Sequence, residues 1–126
     1  KAILEMGPRF VVVKKGEHGA LLIHRDGLCA LPAYPAEQVI DPTGAGDTFA
    51  GGMMGSLAAN KAGGSGLASG PGSSDPGSFQ NVRASLAHGT VVASFNIEAF
   101  SLDRLKTLTR AELDKRYAEF VAMVRV

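Results

Sequence analysis

Apolar side chains recur along this chain in two different rhythms, first every other residue or continuously, later at helical spacing. Phe10–Lys14, "FVVVK", is an almost unbroken β-branched run set off by Gly7-Pro8. It predicts a strand buried on both faces, as in a parallel sheet. "KKGEHG", Lys14 to Gly19, reads as a glycine-flanked loop. "ALLIH" and "LCALPA" flank Arg25-Asp26-Gly27, and Asp-Gly between apolar runs predicts a hairpin. "YPAEQVIDP" reads as an extended connector. The period then changes. Phe49, Met53 and Leu57 stand four residues apart, which predicts a helix starting near Gly46. A second helix is expected over Val82–Ser94, with Leu86, Gly89, Val92 and Ala93 inward. Thr109-Arg110-Ala111-Glu112 has the form of a capping box. It opens a last helix with Leu113, Tyr117, Phe120, Val121 and Val124 on one face. Strands followed by helices predict a layered α/β domain.

Between the first two helices the composition shifts. Residues 60–81, "NKAGGSGLASGPGSSDPGSFQN", are rich in Gly, Ser and Pro. Such a run buries too little apolar surface to order itself, so a flexible loop is expected there. The flanking pieces are too short to stand alone, so the 126 residues are read as one unit. Its 13 basic and 12 acidic residues leave a net charge of +1, with no electrostatic footprint for nucleic acid or an anionic membrane. No apolar run is long enough for a helical membrane span. A single cysteine, Cys29, excludes an internal disulfide and suits a reducing, cytoplasmic setting. The N-terminus, "KAILEMGPRFVVV", lacks a secretory pattern and reads as the end of a helix running into a strand. A chain that opens inside an element is expected to belong to something longer.

The chemistry concentrates in "VIDPTGAGDTFAGG", Val39 to Gly52. Glycines let a backbone approach a ligand with no Cβ in the way. The first amides of a helix lack internal partners, and the helix dipole adds positive charge there. Gly44-Ala45-Gly46 at a helix start therefore makes a phosphate cradle. Asp47 beside it is electrostatically odd for anion binding alone. It makes sense as a base that takes the proton of an alcohol attacking a bound phosphate. An Asp in a first helical turn also serves as a plain cap, and on the residues alone both readings stand. No G-x-x-x-x-G-K-[ST] is present, and the turn lacks the third glycine of G-x-G-x-x-G. Lys14 and Lys15 could reach phosphate, but paired lysines at a strand end read as solvated; His18 and His88 read as surface residues, and Cys29 as packing. His24 and His88 share no zinc-ligand spacing with an acid or cysteine.

"DPTGAGDTFAGG" resembles the C-terminal signature of the ribokinase-like, or PfkB, family of carbohydrate and nucleoside kinases. "VVVKKGEHGALL" resembles the family's strand-loop-strand beside ATP, and "AHGTVVASFNIEAFSLDRL" its helix and turn across the nucleotide. The resemblance implies the C-terminal part of a three-layer α/β/α domain. It implies phosphorylation of a sugar or nucleoside alcohol by ATP with Mg²⁺. Asp47 is then the catalytic base, and the Gly44, Ala45 and Gly46 amides hold the transferring phosphoryl group. Lys15, Gly16, Gly19 and Gly46 line the nucleotide. Asp41 and Thr43 match positions that hold a monovalent cation, K⁺, in some members. Family members are roughly twice this length or more, and their N-terminal part supplies the sugar pocket and a β-sheet lid. This chain alone is therefore expected to be inactive. Its open sheet edge then wants a partner, the missing half or a second copy. A non-catalytic nucleotide- or phosphate-binding module and a purely structural fragment are the alternatives.

Overall fold

The computed structural model describes residues 2–61 and 75–125. Helix α1 (Ala2–Glu5) leads into strands β1 (Phe10–Lys14), β2 (Ala20–His24) and β3 (Gly27–Leu31). Helices α2 (Ala45–Lys61), α3 (Phe79–Asn96), α4 (Asp103–Thr107) and α5 (Arg110–Val124) follow. The strands form an antiparallel meander, β1-β2-β3, with Val12 opposite Leu22 and Leu22 opposite Cys29. Along β2 the side chains alternate, with Ala20, Leu22 and His24 buried against the helices.

Two readings of the strands are corrected. Among the described residues β1 does not stand in a parallel sheet: it pairs only with β2, antiparallel, and its side chains are half-buried or exposed. An apolar run reads alike in a central strand and in a half-covered edge strand. The hairpin forms as expected, but its turn is Arg25-Asp26, because Gly27 already pairs with His24. Gly27 serves packing instead, since a Cβ there would stand 2.8 Å from the Phe79 ring.

The helical layer is built on close approach. A Cβ on Gly89 would stand 2.6 Å from the Phe49 carbonyl, and one on Gly52 3.0 Å from Val92 Cβ. Backbone-level contact between α2 and α3 thus requires glycine at 89, and at 52 a Cβ would press on the Val92 side chain. Phe49, Met53, Val82, Leu86, Val91 and Phe95 bury around this seam, and Leu57 packs against it. Val92 and Ala93, expected inward, are half-buried.

Both ends of the expected loop at 60–81 are helical. Its middle, residues 62–74, lies outside the described residues. Asn60 and Lys61 continue α2. At the other end α3 begins at Phe79, three residues earlier than expected, because Ser78 caps it by accepting from the Asn81 N–H. Asp75 is held by both guanidinium nitrogens of Arg9, and its own oxygen accepts the Gly77 N–H at 3.0 Å.

On α5, Phe120 is fully buried while Val121, expected inward, is 36% exposed. The Thr109–Glu112 capping box forms. Glu112 also accepts from Arg104 at 2.7 Å. The Thr109 backbone N–H, its hydroxyl and then Arg104 pull the Glu112 carboxyl from 4.5 to about 2. A depressed carboxylate stabilises the fold fully above its unfolded value. That contribution is then lost as pH falls from 4.5 towards about 2. Glu112→Gln is therefore expected to flatten the acid limb of the melting-temperature profile. Thermal melts from neutral pH down through this window check it, and an unchanged limb would remove Glu112 from the acid response.

Candidate active site

The turn before α2 is held by three sets of contacts. At its start, Ile40 and Asp41 both donate their N–H groups to the Ile97 carbonyl just beyond α3, at 2.8 and 3.2 Å. Within it, Asp41 Oδ1 accepts the Thr43 N–H at 2.9 Å. The Thr43 hydroxyl first, and its N–H second, hold the Asp41 carboxyl below the usual range. From below, Asn96 reaches up from the last residue of α3. Its Nδ2 donates to the Thr43 carbonyl at 2.9 Å, and its Oδ1 accepts the Thr48 hydroxyl at 3.1 Å. Asn96 is 2% exposed. It thus clamps the residues on either side of Gly44–Gly46 to a buried point. Gly44, at φ 80°, supplies the left-handed residue that swings the chain into the helix.

The clamped turn presents the amides expected of it, with one exception. The Ala45 N–H is taken by the Pro42 carbonyl at 3.2 Å. Among the described residues the Gly44, Gly46 and Asp47 N–H groups meet no backbone acceptor. These residues are exposed, Asp47 included, so the helix dipole and the open donors face outward together.

Beside the turn lies a cleft of about 650 Å³. Lys14, Gly16 and Gly19 form one wall, Thr90, Ala93 and Ser94 of α3 the other, and Ala45, Gly46 and Phe49 close the end. The first wall is a single turn of 3-10 helix, Gly16–His18, closed by Lys15 N–H to Gly19 O at 2.8 Å. Gly19 is required there, because a Cβ would lie 2.0 Å from the Leu31 carbonyl. On the opposite wall the hydroxyls turn inward, Thr90 to Leu86 O at 3.0 Å and Ser94 to Val91 O at 2.6 Å. The cleft therefore offers an apolar slot ending in polar amides, a shape suited to a flat ring carrying an anionic tail.

A model of the pfkB family of carbohydrate kinases matches residues 1–106. The chain belongs to the PfkB carbohydrate kinase family. It is 50% identical over 44 residues to an inositol 3-kinase of Arabidopsis thaliana, covering 35% of this chain and 12% of that protein. A cytidine kinase of Thermococcus kodakarensis is 42% identical over 50 residues, covering 38% and 18%. The fold is similar to a Burkholderia thailandensis nucleoside kinase solved with inosine, at TM-score 0.66 and 28% identity. That match covers 97% of this chain and 34% of the other. The described sheet and helices are thus part of the ribokinase-like α/β fold, and the chain spans about a third or less of these relatives.

Within this PfkB segment the structure gathers Gly16, Gly19, Ala45 and Gly46 on one cleft. Gly44 and Asp47 flank its closed end. Lys15 contributes to the turn through its backbone, while its side chain is exposed. One histidine was misjudged from sequence. His88 is half-buried: its ring lies edge-on to Tyr117 at 5.9 Å, and burial lowers its pKa. It does not line the cleft. Lys14 is exposed, as expected, and its Nζ also donates to the Gly46 carbonyl at 3.1 Å beside the cleft. Asn96 was missed outright. One signal was available, since it follows Gly89 by seven residues and so falls on the same inward face.

Proposed function

We propose that this chain forms the nucleotide-binding and phosphoryl-transfer part of an ATP-dependent kinase for an alcohol group of a sugar or nucleoside. The observation that carries this is the continuity of the apolar slot with the open amides of the Gly44–Gly46 turn. A nucleobase fits between the Gly16–Gly19 wall and α3, which directs its phosphates at the start of α2. There the Gly44, Gly46 and Asp47 amides stabilise charge on the transferring group. Asp47, exposed beside them, accepts the proton of the incoming hydroxyl. A PfkB relative from Burkholderia thailandensis has been solved with ADP and inosine, which supports a donor–acceptor pair of this kind.

Asp41, ionised and set in the turn, and the Thr43 carbonyl, which keeps a second lone pair beside Asn96, suit a monovalent cation such as K⁺. No group of three or more His, Cys, Asp or Glu side chains converges among the described residues. Mg²⁺, arriving with the nucleotide, would supply positive charge to its phosphates. Because the chain spans about a third or less of its relatives, it is expected to bind nucleotide without turnover. The setting that suits ATP and a single free cysteine is the cytoplasm.

Titration of the isotope-labelled chain with ATP tests the reading. Amide shifts are expected at Gly16, Gly19, Gly46 and Ala93. Shifts confined to other surfaces, or none at millimolar ATP, would end it.

A further inference from the structure

We infer that Lys14 is a phosphate-binding residue of this cleft, the cation that offsets Asp47 when a nucleoside polyphosphate occupies the turn. The inference rests on the nucleotide reading above and adds a residue to it. Lys14 ends β1, and its side chain crosses to α2. Its Nζ donates to the Gly46 carbonyl at 3.1 Å and lies 3.1 Å from where a Cβ on Gly46 would be. The ammonium therefore stands directly over the second residue of the helix, on the cleft side.

The need for a cation is electrostatic. The open amides and the helix dipole amount to about half a positive charge. Asp47, one residue on, brings a full negative charge to the same turn, and Glu17 lines the same cleft. A polyphosphate entering this field meets net repulsion unless a full positive charge stands with the amides. Among the described residues Lys14 forms no ion pair and is the one cation lining the cleft. An ammonium has three donors, and the Gly46 carbonyl uses one. The other two are available to phosphate oxygens, which are stronger acceptors than a neutral carbonyl. The tether to Gly46 holds the charge where the phosphates end, so little side-chain freedom is lost on binding.

The test titrates the 126-residue chain, by amide shifts, with adenosine, ADP and inorganic tripolyphosphate. The wild type is expected to bind ADP more tightly than adenosine. Lys14→Met should weaken ADP and tripolyphosphate by about tenfold, the order of one charge-assisted hydrogen bond, and leave adenosine unchanged. Lys14→Arg should retain most of the affinity for both anions. A Lys14→Met chain that binds ADP as the wild type does overturns the assignment. So does equal weakening of adenosine and ADP, the mark of a lysine that only props the turn. Wild-type chain that shows no shift in the cleft with any of the three ligands overturns the nucleotide reading, and Lys14's role with it.

Discussion

Asp47→Asn, made in a complete enzyme carrying this segment, is expected to lower phosphoryl transfer by about 10²–10⁴-fold, the usual worth of a general base. Nucleotide affinity should stay close to wild type or rise slightly, because a negative charge leaves the phosphate end of the cleft. The amide keeps the shape of the carboxylate and removes its capacity to take a proton. Asp47 is exposed and sits in the first turn of α2. A role limited to helix stability would therefore show almost nothing, since Asn serves at helix starts about as well as Asp. Single-turnover rates with saturating nucleotide separate the two accounts. Near-normal chemistry in a folded Asp47→Asn enzyme would return the residue to a stabilising role.

The second large effect is expected at Asn96, which is buried behind the turn. Asn96→Leu removes the donor to the Thr43 carbonyl and the acceptor of the Thr48 hydroxyl together. Leaving such groups unmatched costs about 1–3 kcal/mol of stability. The larger consequence is positional. With the clamp gone, the Gly44–Gly46 amides and Asp47 lose their common anchor, and a shift of about 1 Å costs roughly 10²-fold in rate. In the complete enzyme kcat should fall far more than KM for nucleotide rises, because the slot walls stay in place. Asn96→Asp is the sharper probe. It has the same shape and still accepts from Thr48, but it sets an oxygen against the Thr43 carbonyl. It should rank with Asn96→Leu and not with wild type. An Asn96→Asp enzyme with wild-type turnover would show that the turn holds itself.

What could be read in advance was what neighbours in sequence decide. Phe49, Met53 and Leu57 marked α2 because a helix brings every fourth residue to one face. The Thr109–Glu112 box marked the start of α5 because all its partners lie within four residues. The glycine turn that opens α2 was legible for the same reason, being packed into a few consecutive residues. Asn96 was not, because its partners lie 48 and 53 residues away and local rules assign a polar helix residue to solvent. The lean of Lys14 depends on a carbonyl 32 residues on. The early start of α3 was hidden in a run of turn-forming residues, and its approach is fixed by an Arg9–Asp75 contact spanning 66 residues. The antiparallel pairing of β1 was not legible, because an apolar run says how much a strand dislikes water, not which way its neighbour runs.

Helix α5 lies beyond residues 1–106, the stretch matched to the family, and still shares their core. Phe120 is fully buried, its ring 6.1 Å from that of Tyr34. Arg116 lies 3.5 Å over the Phe95 ring and pairs with Glu98, which also takes Arg104. Phe95 and Asn96 are consecutive, so the face that α5 covers adjoins the residue that steadies the turn. The border drawn by kinship and the border drawn by packing therefore fall in different places. An expression clone ended at 106, or a chimera exchanging tails between relatives, would strip cover from Phe95. Such an exchange would have to carry the Arg116, Glu98 and Phe120 contacts as a set.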